Sequence, residues 1–342
     1  MEESMERFTN IARKILPSKK VSLIGLTMLM FFVALNAQTM NVRPGYSHLH
    51  NTFETIQEAI NACPNGGTVK IFPGTYTGTG NRMIVWPQNR NITVEGFDDD
   101  YAVINTEGPI GFILNNVTDQ NTIRYIKIQN SGLAIQLTNS YPIIEHVKII
   151  GNNRGILINN SVNFGHEVQI RHCEFIENVI SPYSENMGVS IVGTTGNLSV
   201  KNSIFKGNIA DAVYDYLYQS YFGSPGASID FTGSQIHIEG NLFEGNFGTY
   251  TGGNIMIRSS NSVTVVNNKF IDNYATRLSV ILSSHDLQIV SSENVLIANN
   301  IFTDDIYFSH PPIGSTPSII LEGVGNVRYV NNTTFGKRPR AK

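Results

Sequence analysis

The sequence predicts an all-β fold, a parallel β-helix solenoid of roughly eight to ten coils with a short helix at its start. The first observation behind this is a phenylalanine that returns in one local frame. It appears in VQIRHCEFIEN (168–178), LSVKNSIFKGN (198–208), IHIEGNLFEGN (236–246), VTVVNNKFIDN (263–273) and VLIANNIFTDD (295–305), with a further copy in RYVNNTTF (328–335). Phe175, Phe205, Phe243, Phe270, Phe302 and Phe335 are 30, 38, 27, 32 and 33 residues apart, and Ile128 and Ile149 hold the same slot earlier with gaps of 21 and 26. Self-similarity at such a period marks a stacked repeat. The second observation is strict alternation of apolar residues in two segments of every repeat, which buries one strand face. The third is that no 3.6-residue pattern lies between these segments, so a βαβ fold is excluded and each strand must pair with its copy one coil away.

Taken along the chain, the first 37 residues read as a signal peptide. Arg13, Lys14, Lys19 and Lys20 precede an apolar run from Val21 to Leu35. A run of about 15 apolar residues is short for a membrane span and suits an export signal cleaved near Ala37. Residues 38–342 then form the β-helix, and no membrane span is expected in the mature chain. Within Thr52–Ala62, Phe53, Ile56, Ala59 and Ile60 share one helical face, so 52–62 is expected to cap the exposed N-terminal end of the solenoid.

In each repeat the first alternating segment, such as Ile236 and Ile238 or Val263 and Val265, leads into Asn202, Asn241, Asn268 or Asn300. Asparagine tolerates left-handed backbone and bonds its neighbours, so it turns the corner and can stack into a ladder. The inward Phe follows. A second apolar-x-apolar segment comes next, as in Ile156 and Ile158, Val189 and Ile191, Ile229 and Phe231, or Ile255 and Ile257. Cys63 and Cys173, the only cysteines, are several coils apart and are expected as free thiols.

The stretch TFETIQEAINACPNGGTVKIFPGTYTG (52–78), with TIQEAI at 55–60 and GGTVKIFPGTY at 66–76, resembles the opening segment of β-helix proteins in the pectin lyase-like superfamily. With the NN-x-F corners, the resemblance covers nearly the whole mature chain. It implies a right-handed, three-sheet helix and a superfamily containing polysaccharide lyases, glycoside hydrolases, pectin esterases and non-catalytic surface proteins. No known catalytic subtype is matched: the Arg-x-Pro-x-x-Arg stretch of pectate lyases is absent, and the ordered acidic and Gly-His-Gly motifs of polygalacturonases fail here. The chain therefore reads as a generic β-helix repeat protein, and fold alone selects no chemistry.

Charged residues make up 15% of the chain and the net charge is −3, which excludes the basic field that nucleic acid requires. Length variation falls at one point of the repeat, in 153–154, 179–187, 209–225, 247–252, 274–278 and 306–317. In a superposable stack those inserts emerge along one edge, a pattern that often builds a binding face. They carry Tyr183, Tyr214, Tyr216, Tyr218, Tyr250 and Tyr307, rings with polar tips that suit stacking on sugars and equally suit packing the loops onto the flank. Asp211 and Asp215, in the longest insert, are the candidate catalytic acid and base. Asp272 and Asp304 occupy equivalent slots in successive coils, as a Ca²⁺ site or as solvated Asx turns.

The function these features point to is an exported, monomeric protein, secreted, periplasmic or on the cell surface, that binds or processes polysaccharide. If it is an enzyme, it is a lyase or glycoside hydrolase. The alternative is a non-catalytic adhesin or scaffold.

Overall fold

The computed structural model describes residues 38–45, 50–97, 100–161, 165–179, 190–194, 196–210, 213–215, 220–222, 227–248, 254–275, 286–303 and 319–335. The chain winds into a right-handed parallel β-helix of triangular cross-section. A first face is a twelve-stranded sheet that begins with Thr39–Val42 and Thr52–Phe53 and ends with Asn326–Val330. A second face carries the recurring Phe, on strands such as Glu174–Ile176, Ile204–Lys206 and Leu242–Glu244. The third face holds Ile156–Asn159, Ile191–Thr194, Ile229–Thr232, Ile255–Arg258, Leu287–Val290 and Ile319–Glu322.

Every face repeats one register. On the second face, Tyr76, Ile104, Ile128, Ile149, Phe175, Phe205, Phe243, Phe270 and Phe302 form one inward column. Consecutive phenylalanines stack with centroids 4.7–4.8 Å apart and planes within 13°. That spacing is the strand spacing of a sheet, so backbone pairing sets the ring contacts. Each ring is fully buried, worth about 2–3 kcal/mol against exposure.

The last copy departs from expectation. Phe302 pairs with Thr334, and Phe335 is 58% exposed. Asn332 keeps its place beneath Asn300, but the strand after it is one residue too long for the ring to enter the column. On the third face Ile191 takes the first inward slot, beside Ile156, and Gly193 takes the next, opposite Ile158 and Phe231, while Val189 lies outside the described residues. A Cβ on Gly193 would lie 2.6 Å from Phe231 Cε2, so the glycine supplies the room that the Phe231 ring occupies.

Each corner pairs a left-handed residue with a buried amide or hydroxyl. At the first corner Asn202, Asn267, Asn299 and Asn331 have φ between 49° and 59°, as do Tyr125, His146 and His172 between 51° and 55°. The residues that follow form a ladder in which Asn241, Asn268 and Asn300 each donate both backbone and side-chain N–H to the next Asn Oδ1. The second corner repeats this through Asn152, Asn178, Asn208, Asn246 and Asn273. An inward corner peptide cannot reach water, so these amides satisfy it.

The helix runs Ile56–Ala62, with Phe53 in the preceding strand. Thr55 and Glu58 form a reciprocal capping box, and Ile56, Ala59 and Ile60 are buried in the core. Outside the first face, Lys70, Glu95, Arg124, Glu145 and Arg171 alternate in sign coil by coil, with contacts of 3.2, 2.6, 3.4 and 2.8 Å. Cys63 and Cys173 are buried free thiols, and burial pushes them up to about 11 and about 12. Among the described residues, no helix is long and apolar enough to cross a membrane. Residues 1–37 lie outside the description.

Candidate functional site

All the long inserts leave the solenoid at the corner between the second and third faces. In the early coils this corner is tight: the strands Ala102–Asn115 and Ile126–Thr138 run straight through it, and 151–155 turns it in one short step. From Glu174–Ile176 onward, 177–190, 207–228, 245–254, 272–286 and 303–318 bridge the same two faces. The asparagine ladder closes the core beneath them, so added length costs the stack no backbone hydrogen bond.

The inserts depart in register. Ile209–Ala210, Phe247–Gly248 and Tyr274–Ala275 form a three-stranded parallel sheet directly after the ladder, and Val179 bridges to Ile209. Ala210 and Ala275 face inward and are buried. The alternate positions, Val179, Ile209, Phe247 and Tyr274, line up outward, with Val179 42% and Tyr274 40% exposed. Phe247 and Tyr274 stack at 5.6 Å and 12°. Their faces are turned to each other, so this pair offers ring edges rather than faces to a ligand. Aromatic edges carry partial positive charge and suit the oxygen atoms of a sugar.

The adjoining third face is covered. Outward-facing Asp230, Met256, Gln288 and Ile320 are 3–6% exposed. Arg258 pairs with Asp230 through Nη1–Oδ1 at 2.5 Å and Nη2–Oδ2 at 3.3 Å. Burial raises the Asp230 carboxyl above its ordinary range, and Arg258 partly offsets that rise. Gln288 Oε1 is enclosed and makes no hydrogen bond with the described residues.

The residues singled out from sequence are reached unevenly. Tyr183, Tyr216, Tyr218, Tyr250, Tyr307, Asp211 and Asp304 lie outside the described residues. Tyr214 and Asp215 fall in Val213–Asp215, which pairs antiparallel with Ser220–Phe222, setting Tyr214 opposite Tyr221 and Asp215 opposite Ser220 in the backbone register. Asp272 is exposed and left-handed (φ 50°), in the slot held by Gly151, Glu177, Gly207 and Gly245. Its N–H donates to Thr303 Oγ1 at 3.0 Å. Among the described residues no three His, Cys, Asp or Glu side chains cluster as metal ligands.

Sequence reasoning passed over Phe247 and the Asp230–Arg258 pair. A signal for the first exists: Asn208-Ile209-Ala210, Asn246-Phe247-Gly248 and Asn273-Tyr274-Ala275 repeat an amide, a large side chain and a small one. Asp230 sits between inward Ile229 and Phe231, and alternation alone reads such a position as solvated.

No protein-family model and no curated protein matches the chain. Solved structures similar to it include Geobacillus virus E2 ORF18, at 12% identity over 92% of this chain with a TM-score of 0.34; the chain spans 65% of that protein's length. A mannuronic acid specific polysaccharide family 6 lyase from human gut microbiota is 14% identical over 83% of this chain and 81% of its own, with a TM-score of 0.30. Pectate lyase Pel9A is 15% identical over 90% and 80%, with a TM-score of 0.29. At these identities the likeness assigns no activity. The parallel register from coil to coil is that of a β-helix, and the fold is the right-handed one implied by the resemblance to the pectin lyase-like superfamily.

Proposed function

We propose that the protein is an exported polysaccharide-binding β-helix whose ligand track is the corner between the second and third faces. The observation that carries this reading is the aligned foot of the inserts: Val179, Ile209, Phe247 and Tyr274 in one outward line, each leading in sequence into an insert, several of which carry tyrosines. Successive coils are about 4.8 Å apart, so a linear polymer lying along the axis meets the same chemistry repeatedly. A compact ligand would gain nothing from that repetition.

The test is a panel of neutral and acidic polysaccharides, scored for binding and for release of reducing or unsaturated ends, with and without Ca²⁺. Retention of at least one polymer is the expected result. Product release would make the protein a lyase or glycoside hydrolase, with Asp211 and Asp215 as the acids to substitute. A Ca²⁺ requirement would point to Asp272 and Asp304. Binding without product identifies an adhesin. Failure to bind any polymer would refute the reading and leave a rigid scaffold.

A further inference from the structure

At the third corner of the early coils, on a different edge from the inserts, a cavity of about 340 Å³ is lined by Asn116, Thr118, Asn139, Tyr141, Ser161 and His166. Local backbone builds it. Asn116 (φ 57°) and Asn139 (φ 46°) take the left-handed turn that ends each third-face strand. Asn139 Oδ1 accepts from both the N–H and the hydroxyl of Ser161 at 2.9 and 3.0 Å, and Tyr141 Oη donates to the Ser161 carbonyl at 2.9 Å. The Tyr141 and His166 rings form an angled wall, 5.5 Å between centroids and 38° between planes.

Two side-chain amides around this cavity are unengaged. The Asn116 side-chain amide and Asn139 Nδ2 take part in no hydrogen bond with the described residues. His166 Nδ1 makes no hydrogen bond with them either and faces Asp119 Oδ2 at 3.5 Å. Amides, a hydroxyl, an imidazole and an aromatic wall are what the hydroxyls and C–H face of a sugar need. The Asp119 carboxylate disfavours an anion. The volume falls at the low end of the roughly 300–1,000 Å³ typical of ligand sites.

We propose that this cavity is a second binding site, for a single neutral pyranose, independent of the insert-bearing edge. Asn116, Asn139 and His166 bind its hydroxyls, and Tyr141 lies against its ring.

The test is saturation-transfer NMR on the full chain with D-glucose, D-mannose, D-galactose and D-glucuronate, followed by affinity measurement by calorimetry. His166→Leu removes the imidazole. Asn116→Gly removes an amide while keeping a left-handed backbone accessible. At least one neutral sugar is expected to bind, with affinity falling about tenfold in each variant, as the loss of one hydrogen bond implies. Binding is expected to persist when Phe247 and Tyr274 are both alanine, which separates this site from the polymer track. Silence from every neutral sugar overturns the proposal, as does a preference for glucuronate or unchanged affinity in both variants. If His166→Leu does not fold, Asn116→Gly decides.

Discussion

Replacing Asn208 by alanine tests the support under the inserts most directly. The residue is fully buried in the second-corner ladder. Its Oδ1 accepts from Asn178 N and Nδ2 at 3.1 and 3.0 Å, and its Nδ2 donates to Phe175 O and Asn246 Oδ1, both at 2.9 Å. In the alanine variant Asn178 Nδ2 still reaches Ile149 O, and Asn246 Oδ1 still receives Asn208 N. Asn178 N–H is left with nothing. One orphaned buried donor costs about 1–3 kcal/mol and the remaining lost bonds about 1 kcal/mol, so a destabilisation of about 3 kcal/mol is expected. Asn208→Asp keeps the acceptor but turns a buried carboxylate toward two other acceptors, Phe175 O and Asn246 Oδ1. It should be less stable than the alanine variant at neutral pH and recover on acidification, because a raised carboxyl contributes stability only while protonated. Urea unfolding read by far-ultraviolet circular dichroism, alongside fluorescence of the single, buried Trp86, measures both variants and checks for a single transition. An alanine variant within about 0.5 kcal/mol of wild type would show that the ladder amides are dispensable and refute the reasoning.

Gly193→Ala places a Cβ 2.6 Å from Phe231 and 2.8 Å from Ile158; a loss of about 1–3 kcal/mol is expected, partly relieved by Phe231→Leu, and an unchanged melting temperature would contradict it. Arg258→Met strands the buried Asp230 carboxylate and should cost about 3–5 kcal/mol at neutral pH. Burial already holds that carboxyl above its ordinary 3.8, and losing Arg258 raises it further. The deficit against wild type should therefore shrink as pH falls through the raised value; denaturant midpoints across a pH series would expose a pH-independent deficit, which would sink the assignment. Phe247→Ala with Tyr274→Ala should weaken polysaccharide retention in affinity electrophoresis by about tenfold with little change in melting, since two outward rings are lost from a surface line. Equal retention would remove the track from this corner.

Much of the winding is legible in the sequence. The Phe frame, the earlier Ile128 and Ile149 slots and the corner asparagines all follow from period and turn chemistry, because each coil repeats one environment. Phe335 misled because the motif matched in letters while the strand after Asn332 gained a residue; side-chain period, not spelling, decides which face a residue meets. On the third face the pattern was obscured because Gly193 interrupts the apolar alternation beside Phe231. The site was less legible. A sequence reveals where inserts attach, but whether an outward position such as Asp230 is wet or covered depends on what lies over it. The small third-corner cavity joins residues of three coils, and no single motif contains it.

Because corner length varies freely while coil spacing does not, the second-to-third corner behaves as a graduated scale. Peptides spliced into that corner of two chosen coils would be held apart by a whole number of steps of about 4.8 Å, set by hydrogen-bond geometry and indifferent to the splice. Few scaffolds offer such a fixed, countable separation between attachment points along a straight line.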